Sequence, residues 1–154
     1  YAMLRAVHAV LFHPASPIFR LLGPLARRVP ADSRLAAWIE RLERLIKEPL
    51  VGCQMCGDCR LPDTFYVCPE TCPKGLASGP CGGSADNVCE AGDRECVHSA
   101  MYRLAKAAGR LDVLEHAVVL PVPEPRGGSS WLNHFAGRRL PHPAPPPDQA
   151  GPVK

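Results

Sequence analysis

The chain has 154 residues, a formal charge of +3, 18 prolines, 13 glycines and eight cysteines. Its length is that of one domain and is too short for a flavin-binding (β/α)8 barrel, which needs roughly 250 residues. The sequence has neither a Gly-x-Gly-x-x-Gly nor a Gly-x4-Gly-Lys-Ser/Thr phosphate loop, so an independent nucleotide or flavin site is not indicated.

The first thirty residues predict one short helix and a connector. Residues 2–12 favour a helix with Met3, Val7 and Val10 on one face. We expect this face to cover the domain's own core in preference to a partner or a membrane surface. Residues 14–30 predict a turn-broken connector, because prolines interrupt the apolar residues there.

Residues 33–48 predict the clearest helix of the chain, with an N-cap at Asp32 or Ser33. Apolar side chains recur along it at helical spacing, so this stripe is expected to face the core. The i,i+4 pair of Glu43 and Lys47 is expected on the wet face. The stripe consists of Leu35, Trp38, Ile39, Leu42, Leu45 and Ile46.

All eight cysteines follow this helix, in a stretch that is rich in glycine and proline and poor in apolar side chains. Such a stretch cannot offset the conformational entropy of ordering, about 1–2 kcal/mol per residue, unless another kind of bond holds it. Thiolate–metal bonds are the obvious candidate. The predicted metal ligands are Cys53, Cys56, Cys59, Cys68, Cys72, Cys81, Cys89 and Cys96.

The location and charge of the cysteine segment bear on its chemistry. No secretory signal is visible and no stretch reaches the ~20 apolar residues of a spanning helix, so we expect a cytoplasmic protein. In the cytoplasm, cysteines at such spacings bind metal more often than they form disulfides. The segment 53–96 has seven acidic residues against three basic ones, whereas zinc modules that bind nucleic acid surround the metal with Lys and Arg. We therefore expect no nucleic-acid partner.

The spacing of the cysteines favours iron–sulfur clusters over zinc. Cys53, Cys56 and Cys59 recur at intervals of three, as in ferredoxins, where a cysteine followed by proline completes the run. Two Cys-Pro steps follow here, at Cys68 and Cys72. Zinc sites usually have C-x2-4-C pairs that a longer spacer separates. We expect one or two four-iron (4Fe-4S) clusters, with zinc as the alternative.

The C-terminal third begins with a predicted helix at about 95–108. Residues 111–122 are ambiguous between helix and strand. Beyond them the sequence turns to Pro, Gly, Ser and Arg, and we expect residues 141–152 to be disordered or polyproline-like. Trp131 and Phe135 are interpreted as isolated aromatic residues of this tail without a role, with a docking motif as the alternative.

These elements divide the chain into a helical N-terminal scaffold at 1–48, a cysteine-rich metal-binding domain at 49–110 and a Pro/Gly-rich tail at 111–154. The expected fold is a small, irregular, metal-stapled α domain. In this fold, short helices flank a core of cysteine-rich loops, and a disordered Pro-rich C-terminal tail follows.

An ordered string of motifs resembles a known family. The motifs are Cys-Gln-Met-Cys-Gly-Asp-Cys at 53–59, Leu-Pro-x-Thr-Phe-Tyr-Val-Cys-Pro-x2-Cys-Pro-Lys-Gly at 61–75, Gly-Pro-Cys-Gly-Gly at 79–83, Cys-Glu at 89–90 and Cys-Val at 96–97. They resemble the methylenetetrahydrofolate reductase C-terminal family, which occurs as a domain of the reductase or as a separate MetV-type small subunit. The likeness covers about residues 1–105. It departs from the family pattern at His98, where we expect Trp, which changes the packing beside Cys96.

The resemblance implies a partner, either a flavin-containing methylenetetrahydrofolate reductase subunit or another redox protein. It implies no catalytic residue in this chain and no folate binding by it. The expected function is an accessory iron–sulfur electron-transfer module of one-carbon metabolism that is not catalytic alone. The alternative is a redox-inert, zinc-stapled module with a structural or protein-interaction role.

Overall fold

The computed structural model describes residues 1–79, 81–116 and 127–138, and these ranges are mostly helical. A two-stranded antiparallel hairpin pairs Ser84 with Cys89. The predicted fold of short helices around cysteine-rich loops is confirmed, whereas metal stapling stays a prediction. The elements are helices α1 (Ala2–Leu11), α2 (Pro17–Arg28), α3 (Arg34–Val51), α4 (Val97–Ala107), α5 (Leu111–His116) and α6 (Ser130–Ala136), a 3-10 turn at Pro69–Thr71, and strands β1 (Ser84–Ala85) and β2 (Val88–Cys89).

Helix α1 forms where the sequence predicts it, but its apolar face is not packed as expected. Met3, Val7 and Val10 are exposed, so the described residues leave this face open instead of burying it in the domain's own core. In the described part of the chain, no helix has both the length and the apolar character needed to cross a bilayer.

The connector predicted at 14–30 is wrong, because Pro17–Arg28 form helix α2. Ser16 caps the helix by accepting a hydrogen bond from Ile18 N at 3.2 Å. A proline at the first helical position costs nothing, since its missing N–H would have no partner there. Pro24 lies inside the helix, where it removes one backbone hydrogen bond, and its neighbour Gly23 is buried close to α6.

Helix α3 begins where the sequence predicts it and ends later. Ser33 is the N-cap and accepts a hydrogen bond from Ala36 N at 3.1 Å. The helix continues through Pro49 to Val51. Gly52 then ends it with φ +63, a left-handed conformation that glycine adopts at little cost.

The buried face of α3 is not the predicted one. Ala36, Glu43 and Lys47 are buried, although the last two were expected on the wet face. Of the predicted stripe only Ile39 packs against the core. The apolar stripe does not form the core, because Glu43 and Lys47 pair with each other and with hydroxyl groups at the start of α6. The face that carries these two charges therefore lies inward, and most of the apolar stripe lies at the surface. Leu35, Trp38, Leu42, Leu45 and Ile46 are exposed.

The apolar core is small and depends on α6, in a segment that the sequence analysis placed in the tail. Ile39 and Phe135 pack at the edge of this core. Ser129 caps α6 by accepting a hydrogen bond from Leu132 N at 3.1 Å. Leu132 and Ala136 lie in the core, so α6 is docked on the rest of the domain. The disorder predicted at 141–152 lies outside the described residues. The core consists of Ala26, Val29, Ala36, Leu132 and Ala136.

Helix α4 confirms the helix predicted at 95–108. Its buried residues are Val97, Met101 and Ala105, which recur at helical spacing. The ambiguous segment that follows is helical over Leu111–His116, and its remainder lies outside the described residues.

Candidate metal centre

Four of the eight predicted ligands lie around one small pocket. Cys53, Cys56 and Cys59 are the closely spaced triplet, and Cys68 is the first of the two cysteines that precede proline. Cys56 and Cys68 are buried, Cys53 is half-buried and Cys59 is exposed. The structure thus brings together one of the sets of four that the spacing allowed.

Backbone turns of unusual conformation place the triplet around this pocket. Met55 and Gly57 have φ of +49 and +84. At Gly57 only glycine fits, since a Cβ atom there would lie 2.2 Å from the carbonyl oxygen of Gly127. Asn133 Nδ2 also donates to the oxygen of Gly57 at 3.0 Å, so the segment around α6 holds the triplet from outside.

A closed loop between residues 60 and 70 carries Cys68 back to the triplet. The fully buried Thr64 donates its hydroxyl to Val67 O at 2.7 Å. Arg60 and Glu70, at the two ends of the loop, form a largely buried ion pair. Phe65 is only 3% exposed, although its φ is +54. Buried side chains such as this one give the cysteine segment a small core, which its composition did not predict.

Lys47 provides a positive charge at the edge of the pocket. Its Nζ donates to Glu43 Oε1 at 2.9 Å, to Ser130 Oγ at 2.9 Å and to Cys59 Sγ at 3.3 Å. Burial alone would lower the pKa of Lys47, but the negative charges of Cys59, Glu43 and Cys53 outweigh it and raise the pKa. The ammonium therefore stays charged beside the thiol groups.

The carboxylate of Glu43 is fully buried and receives several hydrogen bonds from the start of α6. Ser129 Oγ donates to Oε2 at 2.7 Å, Trp131 N donates to Oε2 at 3.2 Å, and Ser130 Oγ donates to Oε1. Each donor replaces a hydrogen bond that water would otherwise make. The charge of Lys47 is thus held in place by a network that joins α3 to α6.

Burial raises the pKa of two thiols in the pocket, Cys56 and Cys68. At Cys68 the backbone N–H groups of Glu70 and Gln54 work against this shift. A buried thiol that must act as a thiolate needs a compensating cation, and a bound metal is such a cation.

The donor set fits a metal centre, because four thiolates bind either a four-iron cluster or tetrahedral zinc. The free volume of the pocket is about 20 Å³, which is roughly the space of one water-sized sphere. Within the described ranges, no three His, Cys, Asp or Glu side chains are grouped closely enough to hold a metal ion, so ligation stays a prediction.

The other four cysteines lie on separate elements. Cys89 is buried on β2 and Cys96 is the N-cap of α4. Cys81 is exposed, and the backbone N–H of Gly83, helped by Lys74 with its Nζ 3.6 Å away, lowers its pKa. The fourth, Cys72, follows the 3-10 turn. Their grouping as a second ligand set stays a prediction.

These features define a small, mostly helical, cysteine-rich domain with four thiols around a common pocket. A family model described as "Methylene-tetrahydrofolate reductase C terminal" matches residues 33–122, which is more than half of the chain. The chain therefore belongs to this family, and the resemblance seen in the motifs is confirmed. No curated protein and no solved structure was found to match it.

Proposed function

We propose that this protein is an accessory iron–sulfur module that transfers electrons for a flavin-dependent methylenetetrahydrofolate reductase. The family supports the association with the reductase. The observation that carries the proposal is the convergence of Cys53, Cys56, Cys59 and Cys68 on one pocket. The triplet has the spacing of a ferredoxin run, and Cys68 precedes a proline, as does the cysteine that completes such a run. These four residues would hold the cluster, which supplies one-electron redox chemistry when bound.

The protein's own residues give such a centre a defined environment. Met55 and Leu61 line the pocket and are buried, so they limit access of water to the thiols. The ammonium of Lys47 offsets part of the negative charge that four thiolates bring, and its hydrogen bond to Cys59 is of the kind that tunes the potential of a cluster.

A structural zinc site is the second candidate, and the small volume of the pocket favours it. Zinc is held by four thiolates without redox chemistry, and it would fix the fold of the cysteine loops directly. In that case the module would serve the reductase as a structural or interaction domain.

The surface of α3 offers a place for the reductase. Its exposed stripe includes Trp38, Leu42 and Leu45, of which Leu45 is 73% exposed. Contiguous exposed apolar surface of this kind marks protein interaction sites. The whole helix lies inside the family-matched range 33–122, and its exposed arginines favour a partner with an acidic rim. These arginines are Arg34, Arg41 and Arg44.

Metal analysis of the anaerobically purified full chain tests the electron-transfer function. About eight irons per chain support two four-iron clusters, about four irons with one zinc support one cluster beside a zinc site, and zinc alone overturns the electron-transfer function. A redox-active cluster also gives a brown protein that bleaches with dithionite. Cys59→Ser should remove one centre, while Ser78→Ala, at an exposed position nearby in the chain, should leave the metal content unchanged.

A further inference from the structure

Helix α2 carries apolar residues on both of its sides. On the side that packs against α6, Gly23 and Ala26 are buried. On the opposite side Leu21 and Leu25 are 77% and 58% exposed. A helix at the surface of a globular domain normally turns polar residues outward. Packing within the described part of the chain therefore does not account for these two leucines.

Arginines lie next to the exposed leucines. Leu21, Leu25 and Arg28 are spaced at i, i+4 and i+7, so they share one face of the helix, and Arg20 and Arg27 lie on one flank of it. All three arginines are exposed, and no ion pair within the described ranges involves them. These five residues form what we call the basic leucine face.

The surroundings of the basic leucine face contain no acidic residue. The first 31 residues have four arginines and no Asp, Glu, Asn or Gln. Ser16, the N-cap of α2, donates its hydroxyl to Val10 O and so bonds the end of α1 to the start of α2. Helix α1 adds Met3 and Val10, which are 69% and 59% exposed, to the apolar surface of this region. The region therefore offers apolar contact and guanidinium donors, without carboxylate or amide acceptors.

We propose that the basic leucine face binds an anionic phospholipid surface, with its leucines among the acyl chains and its guanidinium groups on the lipid phosphates. Helices that combine exposed leucines with basic residues lie in the plane of the bilayer interface, where they gain from apolar burial and from charge attraction. Phosphates supply the acceptors that this surface lacks, and a guanidinium can bind a phosphate through two parallel hydrogen bonds. A protein partner fits less well, because protein interfaces usually contain about ten direct hydrogen bonds, which need acceptors as well as donors.

This surface lies outside the family-matched part of the chain. Helices α1 and α2 precede the matched residues 33–122, so membership of the family does not account for the basic leucine face. The proposal goes beyond the electron-transfer function, since neither the four-cysteine pocket nor the exposed stripe of α3 takes part in it.

Co-sedimentation of the purified full chain with lipid vesicles tests the proposal. Vesicles of two parts phosphatidylcholine and one part phosphatidylserine should bind the chain, and phosphatidylcholine alone should bind it at least about tenfold more weakly. Raising the salt from about 0.1 M to about 0.5 M should release most of the bound chain, because the charges are then screened. Equal binding to both kinds of vesicle overturns the proposal. Absence of binding to the phosphatidylserine vesicles at millimolar lipid and low salt also overturns it, and leaves an acidic protein as the occupant of this face.

Two pairs of variants place the lipid on α2. Leu25→Glu should weaken vesicle binding at least about tenfold, whereas Tyr102→Glu, at a 53% exposed residue of α4, should leave it unchanged. Arg28→Gln should weaken binding about fivefold, whereas Lys106→Gln on α4 should change it less than about twofold. Equal effects within either pair overturn the assignment to α2.

The comparison of the two lipid compositions uses the unmodified chain, so a folding defect in a variant does not obscure it. Circular dichroism of each variant checks the fold. Leu25→Glu should keep the metal content of the unmodified chain, and metal assays on the same samples therefore separate failure of this proposal from failure of the electron-transfer function.

Discussion

The ammonium of Lys47 lies 3.3 Å from the sulfur of Cys59, and it joins three parts of the fold at one point. Lys47 belongs to α3, Cys59 to the cysteine triplet, and the hydroxyl of Ser130, 2.9 Å from the same nitrogen, to α6. A change at this nitrogen therefore acts on the core and on the candidate metal centre together.

Replacement of Lys47 by Met should destabilise the protein by about 3 kcal/mol, because it leaves the buried Glu43 carboxylate without its cation. The remaining donors from α6 keep the cost near the lower end of the range for broken buried pairs. Metal should also be lost faster to a chelator, since the charge that offsets the thiolates is gone. Chemical denaturation and a chelator time course measure the two effects. Lys106→Met on the exposed side of α4 is the control, and an equal response of the two variants contradicts the role of Lys47.

Gly57→Ala should lower the free energy of unfolding by roughly 2 kcal/mol or more. The left-handed backbone costs a non-glycine residue about 1–2 kcal/mol, and the new Cβ would meet the carbonyl oxygen of Gly127 at 2.2 Å. Gly92→Ala is the matched control, because its Cβ would meet no atom within 4 Å and its φ is not positive. Thermal or denaturant unfolding of both variants decides, and equal stability would show that Gly57 tolerates a side chain.

Two truncations separate the docked part of the C-terminal region from the rest. Deletion of residues 141–154 should change the thermal midpoint by no more than a few degrees, since the prolines and glycines there offer few backbone donors. Deletion of residues 127–154 removes α6, two residues of the apolar core and the hydroxyls that bind Glu43, and it should prevent cooperative folding. If the protein without residues 127–154 still unfolds cooperatively, at a temperature close to that of the full chain, the docking of α6 is contradicted.

The sequence predicted those features that local chemistry decides. Ser33 was a cap because its hydroxyl can accept a bond from the first helical turn, and the structure shows that bond to Ala36. The closeness of Cys53, Cys56 and Cys59 follows from their spacing. The sequence did not show that Cys68, and not Cys72, joins the triplet at the pocket. That choice depends on the turn at Phe65 and Tyr66, where two non-glycine residues take positive φ.

Features decided by tertiary contact escaped prediction. The i,i+4 spacing of Glu43 and Lys47 was visible, but nothing local showed that hydroxyls 86 and 87 positions along the chain would allow both charges to be buried. Ser129 is the N-cap of α6 and Ser130 is its first residue, in a segment whose composition resembled that of a tail. Ser129 three residues before Leu132 was the one local sign of a helix start there.

Acid pH should loosen the packing of α1. Burial lowers the pKa of His8, whose ring also faces Tyr66. The charges of His134 and His13 lower this pKa further, and they outweigh the opposing charge of Asp63. The folded protein thus binds a proton at His8 less readily than the unfolded chain, whose pKa is about 6.5. The stabilisation is complete above that pH and is lost as the pH falls through the lower, folded value.

Hydrogen exchange of α1 at several pH values measures this loosening. His8→Gln should remove the pH dependence, whereas His98→Gln, which changes the histidine bonded to Leu76 O, should keep it. Protection of α1 that stays constant from neutral to acid pH would contradict the assignment to His8.

The exposed stripe of α3 should be the surface that contacts the reductase. Trp38→Glu or Leu42→Glu should weaken the complex by about 2 kcal/mol or more, because a few residues near the centre of an interface together carry most of its binding energy. Neither change touches the buried face of the helix, so stability and metal content should stay as in the unmodified chain.

Calorimetry with the purified reductase measures this affinity, with Leu21→Glu as the control. Leu21 is 77% exposed, lies on α2 and precedes the family-matched range, so its replacement should leave binding unchanged. Sedimentation of the chain alone tests the other occupant: a dimer that Trp38→Glu dissociates would place a second copy on the stripe. Unchanged affinity of both stripe variants for the reductase would show that it docks elsewhere, and the apolar face of α1, with Val7 and Val10 exposed, would then be the next surface to change.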